Sequence, residues 1–198
     1  MLSSKMNRKV IPPVPLVTTA YTVPTGFVAK ALTWGPHGTS VVLSNSNKTC
    51  NMNSDWWYRI IAGSNETFDT NAGKVYFEIK CDYQSRAYAS IGLMAANADY
   101  VDGRNPPAAN YNYAGAWGGT SLNGVDSTGG PVYGTGDTIS IAVDCATQNI
   151  WMAKNGVWMT GNPSTNTSPL GTLALVTFPF RIRCTTGSSM IYLQYTTI

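Results

Sequence analysis

His37 is the only histidine in 198 residues, and charged side chains make up only 12% of the chain. That leaves little from which to build a Ser-His-Asp or Cys-His centre, and no G-x-S-x-G elbow, P-loop or dinucleotide fingerprint occurs. The four cysteines include no C-x-x-C pair, so a zinc site has little to stand on. No apolar run approaches the roughly 18 to 20 residues of a membrane-spanning helix. The basic start MLSSKMNRKVIPPVPLV resembles the opening of a secretory leader, but Pro12, Pro13 and Pro15 break its apolar segment. Nowhere does a long stretch show the 3.6-residue period of an amphipathic helix. The expectation is a protein with no catalytic residues, metal site or cofactor of the common kinds, and no membrane partner.

The net charge of +3 is equally uninformative about a polyanion partner, because it is local. Lys5, Arg8 and Lys9 fall in the first ten residues and leave ten basic and ten acidic side chains from Ile11 onward. A nucleic-acid binder would carry a basic stripe on its folded surface. Arg181 and Arg183, two apart on one strand face, are the nearest approach, and they read as the solvent side of a half-buried strand. No nucleic-acid partner is expected.

What the sequence does contain is period-two alternation. In Thr138–Asp144 the residues Ile139, Ile141 and Val143 alternate with Thr138, Ser140 and Ala142, the pattern of a strand with one buried face. A turn over Asp144–Asn149 leads to a second strand through Ile150 and Met152. Asn155-Gly156 then suits a type I′ hairpin turn, with Val157-Trp158 starting the return strand. Further strands are read at Val41–Leu43, Asp55–Ile61, Gly73–Cys81, Arg86–Ala95, Leu173–Phe178, Phe180–Cys184 and Ser189–Tyr195. Trp34-Gly35-Pro36 reads as a loop corner, and adjacent Trp56 and Trp57 must point to opposite faces. With at least ten strands the fold class is all-β, a sandwich of two antiparallel sheets. Parity puts Cys81, Cys145 and Cys184 on inward faces, as reduced thiols packing like small hydrophobes.

Residues 1–26 hold four prolines and read as an extended arm, either a tail or a docking segment in which Lys5, Arg8 and Lys9 supply the charge. The domain proper is expected over 27–198. Within it, 97–136 is the least regular stretch. Tyr111–Trp117 reads as one strand with Tyr111, Tyr113 and Trp117 on one face. These three are either core or, with Asp99, Tyr100 and Arg104 of the neighbouring loop, the lining of a ligand-binding surface. Asp99 and Asp102 admit one further reading, as the acid and base of a glycan-active hydrolase. The simpler reading is a turn with solvated carboxylates and an ion pair to Arg104.

Four ordered segments carry a family resemblance. Val41-Val42-Leu43-Ser44-Asn45, Gly73-Lys74-Val75-Tyr76-Phe77-Glu78-Ile79, Ser90-Ile91-Gly92-Leu93, and the run from Gly134-Thr135-Gly136-Asp137 through Val143-Asp144, Ile150-Trp151 and Lys154-Asn155-Gly156-Val157-Trp158 to Gly161-Asn162-Pro163 resemble the SPRY domain. The version common in bacteriophage structural and appendage proteins is the most similar, and the resemblance runs from about Phe27 to Tyr195. It implies a two-sheet sandwich that binds protein or other ligands through loops, with no enzymatic activity. For the phage-type version it implies a virion component made in the host cytoplasm, such as a head fibre, tail appendage or capsid decoration. Its arm would then dock on other virion proteins, and its loops would face a host surface glycan or protein. Such appendages are often homo-oligomers that multiply weak contacts. A cellular SPRY adaptor recruiting a protein target is the remaining reading.

Overall fold

A computed structural model describes residues 19–38, 41–54, 61–84, 89–97, 111–174, 177–186 and 191–198. Two β-sheets face each other across one core. The first contains β1 (Val28–Ala29), β3 (Val41–Ser44), β4 (Thr49–Ser54), β6 (Lys74–Gln84), β11 (Thr138–Asp144), β12 (Asn149–Lys154), β13 (Val157–Trp158), β14 (Gly171–Thr172) and β16 (Ile191–Thr197). Its main order is β13-β12-β11-β6-β16-β4-β3; β1 pairs in parallel with β6, and β14 pairs with β12. The second sheet runs β10 (Val125–Val132), β9 (Trp117–Leu122), β8 (Tyr111–Gly115), β7 (Ala89–Ala95), β15 (Phe180–Thr186), β5 (Ile61–Ser64), β2 (Trp34–His37). The all-β sandwich expected from alternation is thus the observed fold.

The inward side chains are those that parity selects. Val75, Phe77, Ile79 and Cys81 of β6 and Ile139, Ile141 and Val143 of β11 meet Ile91 and Leu93 of β7 and Phe180, Ile182 and Cys184 of β15. Phe180 is packed by Phe68, Phe77 and Phe178, with ring centroids 5.4 to 6.4 Å apart. All four cysteines are buried free thiols. The hairpin turn is also as read: Asn155 and Gly156 have φ of 49° and 77°, both positive as type I′ requires.

Several expectations fail, each for a tertiary reason. Trp34-Gly35-Pro36 is not a loop corner. It opens β2, an edge strand that tolerates proline, and Trp34 is fully buried where it pairs with Ser64. Tyr111–Trp117 is not one strand, because the chain turns at Ala116 and returns as β9 beside β8. The described part of Leu173–Phe178 is not a strand; Leu173 is buried and its N–H donates to the Gln148 carbonyl at 2.8 Å. Arg183 is not on a solvated face. It is buried, with Nη2 donating to Ser90 Oγ at 3.1 Å, while Arg181 donates to the carbonyls of Ser64 and Ala96. Asp55–Ile60, with Trp56 and Trp57, lies outside the described residues.

Nor is one face of β11 left to solvent. Thr138, Ser140 and Ala142 are all buried, because Thr19–Ala29 lies across the outer face of the first sheet. Phe27 packs there with Tyr76, Ala142 and Trp151, with Val23, Ala29 and Trp158 around them. Residues 19–26, read from sequence as part of the arm, therefore rest on the sandwich. Residues 1–18, with Lys5, Arg8 and Lys9, lie outside the described residues.

Candidate functional site

The outer face of the first sheet is built in cross-strand rows. Tyr76, Ala142 and Trp151 are register partners across β6, β11 and β12, so a small residue sits between two large aromatics. The next row is Glu78, Ser140, Ala153 and Trp158. Here two small side chains lie between a carboxylate and an indole, and the face is hollow. The segment Tyr21–Thr25 walls the hollow on one side, and the hairpin Asn155–Trp158 with Asn162 and Ser164 walls it on the other. The resulting groove holds about 460 Å³.

Glu78 fixes the first wall. Its buried carboxylate accepts from the backbone N–H of Ala20 at 2.6 Å and of Tyr21 at 3.0 Å, and from the Tyr76 hydroxyl. Charge-assisted bonds of this kind are the strong ones. Burial, reinforced by the hydrogen bond to Glu78, pushes the Tyr76 phenol far above its usual range, so it remains a donor. Thr25 N–H donates to Ser164 Oγ at 3.0 Å, and both residues line the groove.

The hairpin wall is pinned by Asp137. Its carboxylate accepts from Asn155 Nδ2 at 2.6 Å and Gly134 N–H at 2.8 Å, and pairs with Lys154 Nζ at 3.0 Å. Asn155 Oδ1 in turn accepts from Thr138 N–H at 2.8 Å. Two motifs separated in sequence, Gly134–Asp137 and Lys154–Gly156, therefore form one network. Gly156 matters for a second reason: any Cβ there would lie 2.7 Å from the Tyr21 ring, so only glycine lets the two walls meet. The 3₁₀ turn Pro163–Thr165 is capped by Asn162, whose Oδ1 accepts from Ser164 N–H. Gly161 before it has φ of 50° and approaches the Thr167 carbonyl closely enough to exclude a side chain.

Burial opposes ionisation of Asp137, but the hydrogen bonds from Asn155 and Gly134 and the Lys154 ammonium outweigh it and hold the carboxyl below its usual value of 3.8. A depressed acid contributes stability above its unfolded pKa and loses that contribution as pH falls through the folded one. Asp137→Ala is expected to cost about 1 kcal/mol at pH 7, since the group is partly solvated. The gap from the parent should narrow below about pH 4. Urea titrations at pH 7 and pH 3 check both, and a gap that is flat with pH would refute the network.

The residues chosen from sequence as ligand-binding do not enter this groove's description. Asp99, Tyr100 and Arg104, and Asp102 of the hydrolase reading, lie outside the described residues. Tyr111, Tyr113 and Trp117 are described by backbone alone. Tyr111 and Tyr113 stand in register with Met94 and Gly92, whereas the core residues Ile91 and Leu93 pair with Ala114 and Asn112. His37 is exposed and its Nδ1 donates to the Gly38 carbonyl at 2.8 Å. Among the described residues, no group of three or more His, Cys, Asp or Glu is placed to hold a metal ion, and no helix is long and apolar enough to cross a membrane. The groove residues Tyr21, Ser140, Ala153 and Trp158 were missed by sequence reading. The available signal was the Ser140 and Ala153 pair, small residues on the outward parity of their strands.

Two mostly antiparallel sheets packed face to face, with a groove on one outer face, place the protein in the class of β-sandwiches. The SPRY domain model matches residues 74–183, and the chain belongs to the SPRY domain family. Solved structures agree on the fold. The SPRY domain of human HERC1 aligns with a TM-score of 0.62 at 13% identity, covering 80% of this chain and 92% of that one. The TRIM65 PSpry domain gives 0.55 at 13% identity, covering 86% and 93%. A human SPRY domain gives 0.53 at 12%, covering 80% and 94%. Comparison with the curated proteins gives no match. SPRY domains are generally non-catalytic, protein-interaction modules.

Proposed function

We propose that this protein is a non-catalytic binding module whose groove between Tyr21–Thr25 and the β12–β13 hairpin receives an uncharged, extended segment of a partner protein. One observation carries the reading: among the described residues no side chain lining the groove is charged, the Glu78 carboxylate being buried against the Ala20 and Tyr21 N–H groups, while Tyr21, Tyr76 and Trp158 offer ring surface and Asn155, Asn162 and Ser164 offer hydrogen bonds. Such a lining favours neutral polypeptide over phosphate-bearing partners. β13 stands at the end of its sheet's strand order, so one row of its backbone groups is available to a strand laid beside it.

The resemblance to phage-type copies and the low charge support a virion component, with residues before Thr19 docking on the particle and the groove turned toward a host surface protein. Peptide selection from a random seven-residue library tests the binding reading. Uncharged sequences should dominate, and Trp158→Ala should weaken the selected peptides about tenfold or more. Binders that ignore Trp158, or that are uniformly charged, would refute it. The virion reading has its own test, detection of the protein in purified particles and its loss when residues 1–18 are removed.

A further inference from the structure

Cys50 on β4 and Cys184 on β15 belong to opposite sheets and lie 134 residues apart in sequence, yet their Sγ atoms are 3.3 Å apart in the core. Both are fully buried. Parity shows that an inward cysteine faces the other sheet; it does not show that another cysteine is waiting there. Closing the sulfurs to the roughly 2.0 Å of a disulfide needs a shift of little more than about 1 Å.

We infer that Cys50 and Cys184 are a disulfide-forming site that joins the two sheets whenever the chain folds in an oxidising medium. The oxidant is a low-molecular-weight disulfide, R–S–S–R. One cysteine thiolate attacks it, giving a mixed disulfide and releasing RS⁻. The second cysteine, after losing its proton, displaces the other RS⁻ and forms the Cys50–Cys184 bond. Two thiol protons pass to the two released thiolates, the cysteines are oxidised by two electrons, and R–S–S–R is reduced to two RSH.

The inference stands apart from any ligand the groove takes. It also fixes when the bond forms. Burial and the adjacent Cys50 push the Cys184 thiol far above its usual range, and burial pushes Cys81 and Cys145 up to about 12. Thiols shut away from solvent do not react in the closed sandwich. Oxidation therefore belongs to folding or to an opened state, and protein folded under reductant keeps four thiols.

The test refolds the full chain from denaturant with oxidised glutathione or with reductant, then alkylates under denaturing conditions and maps peptides without reduction. The oxidised sample should show two alkylated thiols, Cys81 and Cys145, and a peptide pair linking Cys50 to Cys184. Its melting temperature should exceed that of the reduced sample by roughly 5 to 10 °C, as expected for a long closed loop. Cys81→Ala should leave the linkage intact, and Cys50→Ala should abolish it. If Cys50→Ala does not fold, the peptide map of the parent chain decides alone. Four alkylated thiols after oxidative refolding, linkage through Cys81 or Cys145, or a lowered melting temperature would each overturn the inference.

Discussion

Trp151→Ala is expected to destabilise the protein by about 4 kcal/mol, the size of a large aromatic deletion from a closed core. The indole is fully buried although it sits on the outer face of its sheet. Phe27 meets it edge-on at 6.2 Å, and its Nε1–H donates to the Thr167 carbonyl at 3.1 Å. The substitution opens a cavity under Thr19–Ala29 and also removes one of that carbonyl's two donors, the other being the Asn162 N–H at 3.1 Å. For a domain of this length such a loss lowers the melting temperature by roughly 10 °C. Trp151→Phe keeps most of the packing and removes the N–H, so it should cost about 1 to 2 kcal/mol. Trp158→Ala, at a half-buried position, should cost less than Trp151→Ala. Equal losses at Trp151 and Trp158 would mean that the outer cluster is not a core.

The second large effect is expected at Glu78. Glu78→Ala removes the acceptor for two backbone N–H groups and one phenol at once. The buried phenol loses its acceptor outright, while the amides of exposed Ala20 and half-buried Tyr21 can turn to water, so the loss is about 2 kcal/mol. Glu78→Gln retains one acceptor oxygen and should lose about half as much. Stability alone would not distinguish this from ordinary core damage. The distinguishing readout is local: amide exchange at Ala20 and Tyr21, and proteolysis within 19–26, should accelerate far more in Glu78→Ala than at an equally destabilised inter-sheet variant such as Phe180→Ala. Uniform acceleration across the domain would refute the clamp.

These two residues also show where sequence reading succeeds and where it stops. Trp151 and Glu78 lie on strands that alternation and the SPRY resemblance both identify. The Thr138–Trp158 meander is legible because its pairings are local and its turn carries Asn155-Gly156. What alternation cannot supply is the cover. Glu78, Tyr76 and Ser140 occupy the face that period two assigns to water. They are buried because Thr19–Ala29 is brought to them from about fifty residues away for Tyr76 and Glu78 and more than a hundred for Ser140, a contact with no periodic signature. Arg183 was misread in the same way, from parity without knowledge of what lies above it. The groove escaped for a related reason: its floor is a pair of small residues, Ser140 and Ala153, on two neighbouring strands, and no single strand shows it. Cys50 and Cys184 needed still more, the offset between two sheets.

The place of β16 has a consequence for biosynthesis. This strand follows β4 and β6 by more than a hundred residues, yet it lies between them and pairs with both along most of its length. While the ribosome is still adding it, β6 and β4 face each other across a vacant slot, with their hydrogen-bonding groups unpaired. The first sheet therefore closes only after every strand of the second sheet has been made, so nascent chains should depend on holdase chaperones until β16 emerges.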